Sequence, residues 1–222
     1  MCAYKFIELC EKAGIPAGVV NYIPGSGSEI GDYIVEYPLT RFINFTGSKA
    51  VGCRINERAA KIAKGQKWIK RVVAEMGGKN AIIVDYLANI KKAAQGVASS
   101  VFTFQGQKCS ACSRAIVLSD VYDEFAEAVI KVNSFDEALD IANQTEYGLT
   151  GSVYSEDRAN IQKAKVEFQV GNLYFNRKST AAVVLQHPFG GFNMSGTDAK
   201  TGTADYLINF LNLKSVTEDL TD

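Results

Sequence analysis

A single histidine among 222 residues leaves little material for a histidine-built metal centre. Charge of one sign is also missing: Lys+Arg and Asp+Glu stand at 24 each, so nothing in the balance points to nucleic acid or an anionic membrane as partner. No apolar run approaches the roughly 18–20 residues that span a bilayer. Glu8 and Glu11 interrupt the N-terminal stretch where a signal peptide would be uniformly apolar. Internal repeats, low-complexity tracts and Pro/Ser linkers are absent too. The five cysteines (Cys2, Cys10, Cys53, Cys109, Cys112) are an odd set at no framework spacing, which argues against a disulfide scaffold. These absences lead to the expectation of a soluble, cytoplasmic protein in a reducing compartment, with room for one functional thiol and no metal.

What is present is a core-forming composition, 47 % apolar, and an alternation of helical and strand patterns. Helices are expected at Tyr4–Ala13, Glu29–Glu36, from Ser48 to about Lys64, and at Ile90–Phe102, Val121–Ile130, Phe135–Asn143 and Arg158–Phe168. Strands are expected at Val19–Ile23, Phe42–Phe45, Arg71–Ala74, Ala81–Val84, Ala115–Leu118, Asn172–Phe175 and Tyr206–Leu213. Short strands alternating with helices predict an α/β fold with a parallel, doubly wound sheet.

Two turns put Gly and Ser between a strand and a helix. Ile23–Gly31 has glycines at 25, 27 and 31, one residue too long for a dinucleotide fingerprint. The second, F-T-G-S-K-A-V-G at Phe45–Gly52, follows a strand directly and opens a helix with Ser48 at the N-cap. The free amides and positive end of that helix suit a pyrophosphate, although a capped helix after a strand also needs no ligand.

Cys109 lies in F-Q-G-Q-K-C-S-A-C, just past an expected helix, where a Gly-containing turn can expose a thiol and Lys108 would favour the thiolate. A buried, inert cysteine is the other reading. Cys109 and Cys112 also form C-x-x-C, but no second pair or nearby histidine completes a metal site. Glu75 ends a strand before Met76-Gly77-Gly78, where a carboxylate has the freedom of a general base or, equally, of a solvated surface group.

Together these motifs resemble the aldehyde dehydrogenase family. F-T-G-S-x-x-V-G is similar to its cofactor turn, and N-Y-I-P-G-S-G to its segment one strand earlier. E-M-G-G-K stands 34 residues before the cysteine of G-Q-K-C, in the family's order and spacing. The C-terminal third continues the likeness in V-G-N-L-Y-F-N-R and H-P-F-G-G-F-N-M-S-G-T, closest to the 1-pyrroline-5-carboxylate (glutamate semialdehyde) dehydrogenases of proline breakdown.

The resemblance implies a Rossmann-like nucleotide-binding part over residues 1–75 and a reduced catalytic part over 76–190. A C-terminal segment, 191–222, would carry an oligomerisation-type strand. It implies NAD as cofactor, with NADP still open, at Gly25, Gly47, Ser48 and Gly52. Cys109 is implied as nucleophile, Glu75 as base, and Ser110, Ala181, Ala182 and Phe189 as substrate contacts. Ala181 stands where the family usually has Gly. His187 reads as structural. The implied partners are a small aldehyde and either further copies of the chain or a full-length sibling.

Compared with that pattern, the usual N-terminal third is missing, and a second gap falls near Ala128–Val132. An oxyanion-hole asparagine and two ribose contacts have no counterpart. The expectation is a nucleophile retained with lowered turnover, or an inert fragment that pairs with a full-length aldehyde dehydrogenase.

Overall fold

The computed structural model describes residues 2–125, 130–183 and 185–219. Helix α1 (Cys2–Lys12) is followed by α2 (Gly27–Glu36), β1 (Phe42–Thr46), α3 (Lys49–Ala59) and β2 (Arg71–Glu75). Strands β1 and β2 pair in parallel from Phe42↔Arg71 to Thr46↔Glu75, so both end at the same edge. On one side of this pair α2 and α3 lie together. Arg54 and Arg58 of α3 bind Asp32 of α2, and Arg58 also binds Glu36. The constant offset of 22 residues in the contacts 32–54 and 36–58 means that the two helices run parallel.

The second unit comprises β3 (Asn80–Val84), α4 (Ile90–Phe102), β4 (Cys112–Leu118), α5 (Ser119–Phe125), β5 (Ile130–Val132), α6 (Phe135–Asn143), β6 (Tyr147–Gly148), β7 (Thr150–Tyr154), α7 (Arg158–Glu167), β8 (Asn172–Phe175) and β9 (Phe192–Asn193). Among the described residues its main sheet has five strands in the order β5-β4-β3-β7-β8, all parallel. Alternation along the strands separates two cores. Ala81, Ile83, Ile116, Val132 and Val153 pack on one face against Phe135, Leu139 and Ala142 of α6 and Ala164 of α7. Ile82, Val84 and Val117 pack on the other against Ala93 of α4 and Phe125 of α5. The result is the doubly wound, three-layer α/β arrangement that the strand–helix alternation predicts.

Local signals place several boundaries. Ser48, Asn89, Ser134 and Asp157 each accept an amide of the first turn of the helix they precede. Before α6, Glu137 reaches back to the Asn133 amide while Ser134 Oγ takes the Glu137 amide, a reciprocal cap. Helix α6 and β8 match the expected bounds.

Four expectations need correction. Val19–Ile23 forms no strand, because β1 and β2 pair only with each other. Helix α3 stops at Ala59 rather than near Lys64. The expected helix Val121–Ile130 ends at Phe125 within the described residues, and Ile130 already pairs with Ile116 in β5. Residues 128 and 129 of the expected gap lie outside the described residues. Finally, Tyr206–Leu213 is not a strand: Ala204–Phe210 is a 3-10 turn. It docks on β1 through Phe210 and Phe42 ring contact and a Tyr206 Oη bond to Asn44 (2.8 Å), and on β2 through an Arg71 bond to the Leu211 carbonyl (3.2 Å). Aromatic contact across β1 takes the place of ladder pairing. Among the described residues no helix is long and apolar enough to cross a membrane.

Candidate active site

Glu75 closes β2 where the two units meet. Its carbonyl accepts the Gly47 amide at 3.0 Å, tying it to the turn after β1. On its other side, residues 195–197 run antiparallel to β2. The Met76 amide donates to the Ser195 carbonyl at 2.8 Å, and the Thr197 amide to the Ala74 carbonyl at 3.0 Å. This double embrace leaves Glu75 only 8 % exposed. Among the described residues its Oε1 meets no hydrogen-bond donor. Burial pushes its pKa up to about 7, with Lys200 pulling down and Asp198 pushing up by smaller amounts. The sequence left a solvated surface glutamate open, and the structure excludes it.

Cys109 follows α4 by way of a short turn, Thr103–Gly106, in which Phe104 (φ 54°) and Gln105 (φ 58°) adopt left-handed backbone. That conformation is costly for residues with a Cβ, so surrounding contacts must hold it. Beyond the turn, Asn80 holds the nucleophile segment, its amide donating to the Cys109 and Ala111 carbonyls at 2.8 Å each. Cys109 is exposed as a residue, yet protein crowds its thiol. Burial is the main cause of its raised pKa, and the Glu75 carboxylate adds to it, against the Ser110 amide and Lys108. Lys108 favours the thiolate, as expected, but burial outweighs it. The Lys108 ammonium lies 4.6 Å over the Phe104 ring, and its effect is too small to overcome burial. Cys112 is buried in β4 with its thiol pushed up to about 11, so the two cysteines of C-x-x-C have different surroundings.

A cleft of about 320 Å³ opens beside the cysteine, lined by Lys108, Ser110, Ala182, His187, Phe189 and Thr201 among others. It brings together three of the four expected substrate contacts. The fourth, Ala181, is buried at 6 % exposure, outside this lining, with its carbonyl bonded to Arg177. His187 Nδ1 accepts the Val183 amide at 3.0 Å, closing the 183–187 turn. Ser179 fastens that loop to the nucleophile segment by donating from Oγ to the Ser110 carbonyl at 3.2 Å.

At the other flank, Ser48 Oγ caps α3 at the Val51 amide (3.4 Å), and the first turn carries no acidic residue. Open amides, a positive helix end and no competing carboxylate fit the phosphates of a dinucleotide. Gly52 faces inward instead: a Cβ there would stand 2.5 Å from Met76 Sδ, so its lack of a side chain lets α3 lie close on β2. Gly25 precedes the N-cap of α2, and since α2 and α3 run parallel, both helix N-termini face one edge.

Sequence reasoning did not single out Asn80, Ser195, Thr197 or Lys200. All lie inside quoted motifs or just past them, but a polar residue in a loop carries no periodic signal of burial.

A model described as the aldehyde dehydrogenase family matches residues 1–130 and 127–216 of the chain, in two pieces that meet where the internal gap was expected. The chain is 45 % identical to 1-pyrroline-5-carboxylate dehydrogenase of Geobacillus kaustophilus, covering 97 % of this chain and 58 % of the relative. It is 42 % identical to the protein of the same name from Bacillus subtilis, with the same coverages. Both matches run over 300 residues, more than the 222 present here, so the relatives carry residues that this chain lacks. Among solved structures, 1-pyrroline-5-carboxylate dehydrogenase from Thermus with bound NAD superposes with a TM-score of 0.92 at 40 % identity, over 96 % of this chain and 57 % of that one. Proline utilization A from Bdellovibrio bacteriovorus gives 0.90 at 39 %, over 94 % and 30 %.

Proposed function

The chain belongs to the aldehyde dehydrogenase family, and from that premise we propose that it oxidises L-glutamate 5-semialdehyde, the open form of 1-pyrroline-5-carboxylate, to L-glutamate in proline breakdown. NAD is the proposed acceptor, held at Gly25, Gly47 and Ser48, with Gly52 letting α3 pack close behind that turn, and NADP is the alternative. The chain spans 58 % of the length of the curated relatives it matches, so this reading concerns what its own residues are arranged to do.

The observation that carries it is the pairing of a buried carboxylate, whose Oε1 meets no hydrogen-bond donor among the described residues, with a thiol whose ionisation it influences. Cys109 gives up its proton to solvent, and Glu75, half ionised near neutrality, stays available as a base. The resulting thiolate adds to the aldehyde carbon, giving a thiohemiacetal. When bound, a nicotinamide nucleotide would supply the two-electron acceptor that oxidation of this adduct to a thioester needs. Glu75 then accepts a proton from water as the water attacks the thioester, and Cys109 leaves as thiolate. Ser110, Ala182 and Phe189 line the pocket for the rest of the substrate, while buried Ala181 shapes the loop behind it.

Residues 1–75 form the nucleotide part, 76–190 the catalytic part and 191–222 the closing segment of this arrangement. The cytoplasm is the proposed compartment.

A second reading, an inert fragment that pairs with further copies or a full-length aldehyde dehydrogenase, is favoured by the exposed apolar row Leu207, Ile208, Leu211 and Leu213. The test is the absorbance of reduced nicotinamide formed from glutamate semialdehyde by the native chain, Cys109→Ala and Glu75→Gln. Formation by the native chain alone supports the first reading. Absence from all three, with the fold intact, leaves the second.

A further inference from the structure

Lys200 lies past β9 and lines a separate cleft with Asp198, Tyr206 and Asn209. Its ammonium donates to the Gly171 carbonyl at 2.7 Å and to the Gly190 carbonyl, and lies 5.2 Å from the centre of the Phe192 ring. These carbonyls belong to segments that touch. A Cβ on Gly171 would fall 1.9 Å from the Gly190 carbonyl oxygen, so only a glycine permits the approach. Gly190 in turn stands against the base: a Cβ there would fall 3.1 Å from Glu75 Oε1 and 2.4 Å from the Ala199 carbonyl. The chain therefore passes from Lys200 through the Gly190 carbonyl to the carboxylate of Glu75, with no side chain between.

We infer that Lys200 is a positioning residue for Glu75: its ammonium clamps the Gly171 and Gly190 carbonyls, holds that backbone against the carboxylate and sets a positive charge beside it. This rests on reading Glu75 as the base, and assigns the control of that base to a residue outside the motifs of nucleophile, base and cofactor turn.

Titratable groups act on Glu75, or are acted on by it, from three directions. Lys200 and Asp198 come from the segment beside β2, Cys109 from the nucleophile loop and Tyr206 from the C-terminal turn. Lys200 is the cation among them. Burial lowers its own pKa, against the Glu75 and Asp198 carboxylates, which raise it, and the two carbonyl acceptors also suit its charged form. Without it, Glu75 would face burial together with the charge of Asp198.

The test needs neither substrate nor nucleotide. The infrared carboxyl band of ¹³C-glutamate-labelled chain, taken as native minus Glu75→Gln, follows the ionisation of Glu75 alone. In Lys200→Gln, which keeps a hydrogen-bond donor and loses the charge, the midpoint should move up by about one unit. In Lys200→Arg it should stay near the native value. A folded Lys200→Gln chain that titrates like the native one overturns the inference.

Should Lys200→Gln fail to fold, the native chain decides the matter. The ¹⁵N resonance of the Lys200 side chain should step at the Glu75 midpoint and lose that step in Glu75→Gln. A flat resonance overturns the inference. A chain that shows the step but forms no reduced nicotinamide keeps the clamp and loses the dehydrogenase reading, so the two fail separately.

Discussion

The carboxamide of Asn80 holds the backbone of Cys109 in place, donating to the Cys109 and Ala111 carbonyls at 2.8 Å each while its Oδ1 accepts the Thr150 amide at 2.9 Å. One side chain, 3 % exposed at the start of β3, thus joins the nucleophile loop to two neighbouring strands. The cysteine lies at the N-terminal edge of the five-stranded sheet, whereas Glu75 and the cofactor turn lie at the C-terminal edge of β1 and β2. The site is the seam between the two sheets.

Replacing Asn80 by Ala strands two carbonyls and an amide in a buried place. The expected loss is about 3 kcal/mol, since each unsatisfied buried group costs roughly 1–3 kcal/mol before relaxation. Urea denaturation measures it. Alkylation of Cys109, followed by peptide mass mapping, should also quicken in the variant as the loop loosens. Unchanged stability together with unchanged alkylation would remove Asn80 from this role.

Glu75 makes stability depend on pH with a definite sign. Its folded value, about 7, lies above the ordinary glutamate value of 4.5 that holds in the unfolded chain. Between those values the folded chain keeps a proton that the unfolded chain has released. The contribution is therefore complete below about 4.5 and is lost as pH rises through 7. Glu75→Gln should flatten that stretch of the stability profile and be the more stable chain above pH 7. A gain on the order of 2 kcal/mol is expected, less than the full shift because water reaches part of the carboxylate. Urea midpoints across pH test this, and parallel profiles would contradict it.

The Cys109 thiol should alkylate more slowly near neutrality than an ordinary free cysteine, because burial and Glu75 disfavour its thiolate. Removing the carboxylate in Glu75→Gln should speed iodoacetamide labelling of Cys109 at neutral pH. Exposed Cys2 and Cys53 serve as internal references, and buried Cys112 should stay unlabelled. If Glu75→Gln leaves the Cys109 rate unchanged relative to Cys53, the carboxylate does not act on the thiol.

Ser48 allows capping and phosphate binding to be separated. Ser48→Ala removes the cap of α3 at a cost of about 1 kcal/mol. Ser48→Asp restores a capping acceptor and should keep native stability, while its charge repels phosphates. Native-like melting with tenfold or greater weakening of NAD binding, measured by calorimetry, is the expected result. Equal NAD binding by Ser48→Asp and native chain would move the nucleotide elsewhere.

Much of this was legible in the residues themselves. Short β-rich runs between helical patterns set β3, β4 and β8, hydroxyl and carboxyl caps set α3, α6 and α7, and the order and spacing of F-T-G-S, E-M-G-G-K and G-Q-K-C marked the family and its two reactive side chains. These signals are local: a cap, a strand face or a motif acts within a few residues. What a strand pairs with is not local. Val19–Ile23 has the pattern of a strand and no ladder, and the apolar stretch Tyr206–Phe210 coils against Phe42 because aromatic contact across β1 was available to it. The ionisation of Glu75 and Cys109 was likewise settled in three dimensions. Lys108 adjoins the thiol in sequence and lowers its pKa by less than Glu75, 34 residues away, raises it. The sequence by itself determined the layers of the fold and the chemistry of the reactive groups. Tertiary packing decided which of those groups are buried, what clamps them and at what pH they ionise, because desolvation and charge act through space rather than along the chain.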